Sequence, residues 1–234
     1  MVTVKSAHEI ELMRKANQIV RDTLDLVGRE IKAGMTTAQV DKLVYDYITS
    51  CGAKPSFLGY EGYPASACVS INEEVVHGIP SPRRFIEEGD IVSVDVGSIY
   101  KGYNGDAART FMIGQVDEEK KKLVEVTRQS FFEGVKVLKD GCRLGDLGWA
   151  IQSYVESNGF SVVRALVGHG IGTDMHEDPS VPNYGTPGRG MRLKAGMTIA
   201  IEPMVNAGTF DVKVLSDDWT VVTRDGRPSA HYEN

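Results

Sequence analysis

The chain is poor in cysteine: Cys51, Cys68 and Cys142 are all that its 234 residues contain. Three is a small, odd number, so the disulfide frameworks that hold small secreted domains together are excluded and a reducing compartment is expected. Long hydrophobic runs are also missing. Met1 to Leu12 already carries Lys5, His8, Glu9 and Glu11, which leaves no apolar centre for a signal peptide. No stretch approaches the roughly 20 apolar residues of a membrane span. A cytoplasmic protein with no membrane partner follows as the expectation. There is no basic excess either. Lys and Arg number 26 against 32 Asp and Glu, a net charge of −6, which argues against a general or specific nucleic-acid partner while leaving room for a local basic patch.

Several catalytic signatures are absent as well. There is no Cys-x-x-Cys and no Gly-x-Ser-x-Gly. The run Gly168-His169-Gly170-Ile171-Gly172 lacks dinucleotide spacing and has no P-loop lysine after it. His176-Glu177 opens like a zinc-protease helix, but Ser180 stands where the second histidine belongs and Pro179 would break the helix. What is present is ordinary for a folded domain: 41% hydrophobic and 25% charged residues, in a length that buries a sizeable core.

Ser6 followed by Glu9 reads as a capping box, and Ile10, Met13, Val20, Leu24, Val27 and Ile31 follow at helical spacing until Ala33-Gly34. Thr36 or Thr37 caps a second helix bearing Val40, Leu43, Val44, Tyr47 and Ile48 and stopped near Gly52. Residues 56–82 read as a loop feeding short strands. Residues 91–98 (IVSVDVGS) alternate, with Val92, Val94 and Val96 on one face and Ser93 and Asp95 on the other. With a second strand at 109–113 and a reversal at Tyr100-Lys101-Gly102-Tyr103, they make a hairpin. Asp117 caps a helix over 118–139, and another covers about 147–157. Strands are expected at 161–167, 197–202 and 219–223, with a turn at Asp225-Gly226. No linker divides the order, so one domain over residues 1–234 is expected. Its class is α+β: helices, then antiparallel strands, used twice.

Polar residues inside apolar strands carry the chemistry. Asp95 lies among valines, Glu202 within TIAIEPMV, and His169 at the end of ALVGHG. A buried carboxylate costs several kcal/mol unless it has a partner, a proton or a metal. A reversal at Tyr100-Lys101 sets Asp95 opposite Asp106, and two facing carboxylates cannot both ionise without a cation. With Glu233 the set becomes one imidazole and four carboxylates, which suits Mn, Fe(II), Co or Zn rather than a closed structural zinc site. Each residue alone is weak evidence. Asp106 could be a turn residue, and Glu202 before Pro203 could simply end a strand.

Taken together, the segments at 56–80, 94–110, 167–179, 200–205, 218–222 and 229–234 closely resemble the type I methionine aminopeptidases of bacterial kind. The resemblance covers essentially the whole chain. It implies the pita-bread fold, two related α/β halves around a curved antiparallel sheet. It implies two divalent metal ions held by Asp95, Asp106, His169, Glu202 and Glu233, with Asp106 and Glu233 shared, and a water activated between them near neutral pH. The implied activity is removal of the initiator methionine from nascent proteins when the second residue is small. Glu202 would move the proton, His176 would polarise the carbonyl and His77 would contact the substrate beyond the scissile bond. Phe57, Tyr60, Tyr63, Cys68, Met175 and Trp219 would line the methionine pocket, a suitable surface for a thioether. Asn72, Glu74 and Ser229 would bind a monovalent cation, Na or K. Ribosome association fits an enzyme of emerging chains, and a monomer is the expected state.

Some positions depart from the family pattern. Phe57 stands where cysteine is frequent and Met175 where phenylalanine is, which bears on pocket depth. The family continues past the last glutamate with Thr and a further strand pair, whereas here only Asn234 follows Glu233. The fifth ligand is therefore expected on a fraying end: either the sequence is a fragment that lacks the last strands, or metal binding is weakened. His8 reads as a surface residue and His231 as a strand residue that is not a ligand. Two other readings compete. X-Pro dipeptidases of the same fold usually carry a large extra N-terminal domain. Non-catalytic pita-bread binding modules lose metal ligands, whereas all five positions are filled here. Only 32 residues separate His169 from Glu202 and 30 separate Glu202 from Glu233, leaving no room for the type II insertion.

Overall fold

The computed structural model describes residues 2–234. Helix α1 (Ala7–Glu30) begins with the expected capping box: Ser6 accepts from the Glu9 amide, and the Glu9 carboxylate accepts from the Ser6 N–H at 2.7 Å. Helix α2 (Thr37–Ser50) repeats the device with Thr36 and Gln39. Four strands form the first sheet: β1 (Lys54–Pro55), β2 (Ala67–Ile71), β4 (Ile91–Tyr100) and β5 (Tyr103–Met112). Strand β3 (Glu74–Val76) lies outside it. Val92, Val94 and Val96 turn towards α1 and α2 and share one core with Val20, Val27, Val40 and Ile48. The alternation read from the sequence is therefore the division between core and site.

The second half repeats the arrangement. Helix α3 (Glu118–Lys136) is capped by Asp117, and α4 (Leu144–Ser157) begins where the Asp146 carboxylate accepts from the Arg143 N–H. Both pack on β6 (Ser161–Val162), β9 (Met204–Asn206) and β12 (Ser229–His231) through Leu123, Leu147, Ile151 and Val205. A ribbon of β7 (Gly168–Gly170) and β8 (Glu177–Val181), and a third sheet of β10 (Val212–Val214), β11 (Val221–Thr223) and β3, complete the fold.

Four expectations are corrected. The strand expected over 161–167 ends at Val162. The one over 197–202 is irregular chain, held by single links such as the Ala200 N–H to the His169 carbonyl at 2.7 Å; Pro203, with no N–H, delays regular pairing to β9. Strand β5 starts six residues before Arg109, because the two-residue turn Lys101-Gly102, both at positive φ, lets pairing resume at Tyr103. That tight turn also moves the register: Asp95 lies opposite Ala108, and Asp106 opposite Gly97. The two aspartates are diagonal neighbours on one face, not a direct pair.

The end of the chain is not frayed. Glu233 and Ala108 exchange both backbone hydrogen bonds (3.0 and 3.3 Å), and Asn234 does the same with Ile201 (3.3 and 2.9 Å). Arg109 donates to the Glu233 carbonyl and the Asn234 side chain, and lies 4.1 Å from the centre of the Tyr232 ring. Glu233 is only 2% exposed. Pairing to β5 and to residue 201 on the two sides supplies the order that a terminal position would otherwise lack.

Candidate metal centre

The register brings the acids together. Ser93, Asp95 and Gly97 on β4 face Thr110, Ala108 and Asp106 on β5. Glu233 pairs with Ala108 beyond them, so Asp95, Asp106 and Glu233 project from adjacent positions on the face opposite the valine core. His169 and Glu202 arrive from the second half. The β7 backbone runs so close to its neighbours that a Cβ on Gly168 would strike the Ala200 carbonyl, and one on Gly170 the Asp178 carbonyl. The two glycines beside His169 serve this close approach.

All five expected residues meet in one place. His169 Nε2 lies 3.7 Å from Asp106 Oδ2 and 3.6 Å from Glu202 Oε1. His169 Nδ1 donates to the Gly170 carbonyl at 2.8 Å, which turns the Nε2 lone pair towards the carboxylates. Ligand atoms of Asp106, His169 and Glu233 fall within 4.8 Å of one another, as do those of Asp95, His231 and Glu233. Among the described residues, buried Asp95 Oδ1, Asp106 Oδ1 and Glu233 Oε1 have no hydrogen-bond partner. Four close carboxylates, three of them with an orphaned oxygen, and imidazole nitrogens aimed among them are the donor set that divalent cations satisfy.

Protonation follows the same physics. Burial raises the Asp95 carboxyl to about 7. Burial, then the negative charge of Asp95 and Glu202, holds Asp106 far above the usual range. Glu202 and Glu233 rise likewise, through burial and then neighbouring acids. The metal-free folded protein thus keeps protons that the unfolded chain releases near pH 4. Its stability is expected to fall as pH rises from about 4 through about 7. Divalent cations replace those protons. At about 100-fold over Kd one ion adds about 2.7 kcal/mol, or roughly 5–10 °C in Tm for this size. Thermal melts of chelator-treated protein between about pH 5 and 8, with and without Mn or Zn, check this. A metal-free Tm that rises with pH, or one indifferent to metal, contradicts it.

A cavity of about 150 Å³ opens beside the carboxylates. Phe57, Tyr63, Cys68, Met175 and Trp219 line it together with Tyr60, as expected. Tyr63 meets Trp219 edge-on at 5.0 Å, and its hydroxyl faces the Ala67 and Gly78 carbonyls. Burial pushes the Cys68 thiol up, so it lines the wall as an apolar group. His176 stands exposed at the rim, 4.3 Å from the His169 ring, with Nδ1 2.8 Å from the Tyr60 hydroxyl. His77, at φ +59°, lies edge-on to Trp219 across 6.3 Å. Burial holds both histidines below the ordinary imidazole value. For the monovalent site, the Asn72 carbonyl accepts from the Ser229 N–H, while the Glu74 carboxylate accepts from the Ile71 N–H. The three residues are therefore neighbours.

Sequence reasoning missed the supports. Asn183 donates to the Glu202 carbonyl at 3.0 Å, Asn17 accepts from the Asp106 N–H, and Arg109 ties down residue 233. Lys5 and Glu177 form a nearly buried ion pair at 2.5 Å beside His176. Glu61 joins the cavity wall. Only Arg109 signalled itself, as a cation in an otherwise uncharged strand end.

The profile of metallopeptidase family M24 matches residues 11–233. A methionine aminopeptidase of Clostridium acetobutylicum is 58% identical over 234 residues, covering 100% of this chain and 94% of that protein. The crystal structure of a Thermotoga maritima methionine aminopeptidase superposes with a TM-score of 0.98 at 50% identity, over 100% of this chain and 94% of that one. A Pyrococcus horikoshii prolidase is more distant: TM-score 0.78 and 26% identity, with 59% of the prolidase chain covered.

Proposed function

The chain belongs to metallopeptidase family M24, and from that premise we propose how its residues divide the work. It is a metal-dependent aminopeptidase that removes N-terminal methionine, built on the pita-bread fold. Asp95, Asp106, His169, Glu202 and Glu233 hold two divalent ions, Mn, Fe(II), Co or Zn. The observation that carries this is the group of buried carboxylate oxygens left without partners. When bound, the ions would supply an activated water near neutral pH and polarise the scissile carbonyl.

The chain's own groups do the rest. Glu202 accepts the proton of the attacking water and returns it to the leaving amine. We assign the Tyr60 hydroxyl, 2.8 Å from His176 Nδ1, as the donor of that pair; the other ring nitrogen then carries a proton and donates to the carbonyl oxygen as charge develops there. His77 contacts the peptide beyond the scissile bond. Phe57, Tyr63, Cys68, Met175 and Trp219 receive the methionine side chain, whose thioether suits aromatic and sulfur contacts. Asn72, Glu74 and Ser229 form a monovalent cation site for Na or K. One domain over residues 1–234, a monomeric state, a cytoplasmic location and ribosome association on nascent chains belong to the same reading. No helix among the described residues is long and apolar enough to cross a membrane.

The function is tested by substrate choice. Met-Ala-Ser is expected to be cleaved with a kcat/KM at least about 10–200-fold above Met-Leu-Ser, the range that a single methylene commands in a hydrophobic pocket. Anaerobic assays with Mn, Fe(II), Co and Zn in turn, including Leu- and X-Pro-peptides, measure it. Preference for an X-Pro peptide would move the assignment to the prolidase branch.

A further inference from the structure

His231 is 1% exposed, and its Nε2 has no hydrogen-bond partner among the described residues. No feature of the reaction above uses it. Its backbone is pinned on both sides: the Thr110 hydroxyl accepts from the His231 N–H at 2.9 Å and lies 2.8 Å from its carbonyl, and Ser93 bonds the same hydroxyl at 2.8 Å. Two residues before Glu233 in extended chain, His231 projects to the same face. Its Nε2 lies 3.7 Å from Glu233 Oε2.

That separation is too long for a hydrogen bond. It equals the 3.6 and 3.7 Å between His169 Nε2 and the oxygens of Glu202 and Asp106. Two donors each about 2.0–2.2 Å from one ion, at tetrahedral to trigonal angles, lie about 3.3–3.8 Å apart. The atoms of Asp95, His231 and Glu233 also fall within 4.8 Å of one another, as those of Asp106, His169 and Glu233 do. The two groups share Glu233 and otherwise mirror each other: one aspartate, one imidazole, one common carboxylate.

We infer that His231 is a sixth protein ligand of the centre, its Nε2 binding the ion held by Asp95 and Glu233. The inference rests on the metal-centre reading above and corrects the expectation that His231 is a bystander. Each ion then has one nitrogen donor. The Asp95 side thereby favours borderline cations such as Zn, Co and Fe(II) over Mn more strongly than an all-oxygen site would.

The direct test counts imidazole nitrogens on the metal. Protein carrying isotopically labelled histidine is loaded with two equivalents of cadmium enriched in a magnetic isotope, and one-bond metal–nitrogen couplings are read by NMR. Two coupled histidine nitrogens are expected, one of them lost in His231→Gln, with calorimetric affinity for the weaker zinc ion falling at least about tenfold. A single coupled nitrogen in the parent protein overturns the inference and leaves the five-ligand centre standing. So do two couplings that both survive in His231→Gln. No coupling at all overturns the metal-centre reading itself. The parent protein supplies the count even if His231→Gln does not fold.

Discussion

Glu202→Ala is expected to lower kcat/KM for Met-Ala-Ser by about 10²–10⁴-fold, the contribution of a positioned general base. Loss of one metal ligand adds to the deficit. The variant should nevertheless fold. Burial, then the nearby Glu233 and Asp95, disfavours the ionised form of Glu202, so removing it takes away a desolvated acid that the metal-free protein must keep protonated. A metal-free Tm equal to or above that of the parent is therefore expected alongside the lost activity. Glu202→Gln separates the two roles: it keeps the shape and an oxygen donor but cannot take a proton, so activity should stay low at saturating metal. Steady-state kinetics across a metal titration measure this. Near-normal turnover by Glu202→Ala in a preparation free of parent enzyme would remove Glu202 from the mechanism.

Lys5→Met is expected to destabilise the protein by about 3 kcal/mol, the low end of what stranding one partner of a buried ion pair costs. The two side chains are 6% and 10% exposed and 2.5 Å apart. Against the desolvation that burial imposes, Lys5 and Thr3 hold the Glu177 carboxyl below its ordinary value, so it is charged in the fold. Without Lys5, the partners of that charge among the described residues are the Thr3 hydroxyl at 2.8 Å and the more distant Asp174 N–H. The Lys5 N–H also bonds the Gly196 carbonyl at 2.7 Å, so the backbone of the strap survives the substitution. A Tm drop of roughly 6–12 °C follows for this size. It should be largest near neutral pH and shrink as pH falls through the carboxylate range, because a protonated Glu177 needs no cation. Calorimetry at about pH 4.5 and 7.5 measures both. An unchanged Tm at both would show the pair to be energetically idle. Glu177 directly follows His176, so a fall in kcat at unchanged KM would accompany the lost stability if the strap also holds that ring in place.

How much was legible in the chain varies with the range of the interaction. The Ser6–Glu9 capping box was readable because it is closed by residues three apart, and it formed as read; at the second helix only a cap at Thr36 or Thr37 was read, and the structure adds Gln39 to close a box on Thr36. The alternation of Val92, Val94 and Val96 with Ser93 and Asp95 was readable because pleating makes it local. Asp106 and Asp95 were read as close, but their register was not, because it depends on the tight turn at Lys101-Gly102. The irregular run before Glu202 carries strand-like residues yet forms no regular strand, because its backbone partners, His169, Ile171 and Asn234, lie in three separate segments. Propensity carries no information about such long-range partners.

Taken alone, the sequence determined which residue types could do the chemistry. It supplied carboxylates where apolar residues belong, an imidazole between two glycines, and aromatic and sulfur side chains for an apolar pocket. These are properties of composition and short spacing. Only the tertiary structure decided that Glu233 is anchored rather than loose, since its order comes from Ala108 and Arg109, more than a hundred residues away. His231 is the strand residue that was read, and only the tertiary structure buried it with its Nε2 beside Glu233. The reason is the same in both cases. A side chain's type is local, whereas its burial and its partners are set by segments that meet only after the two halves have closed on each other.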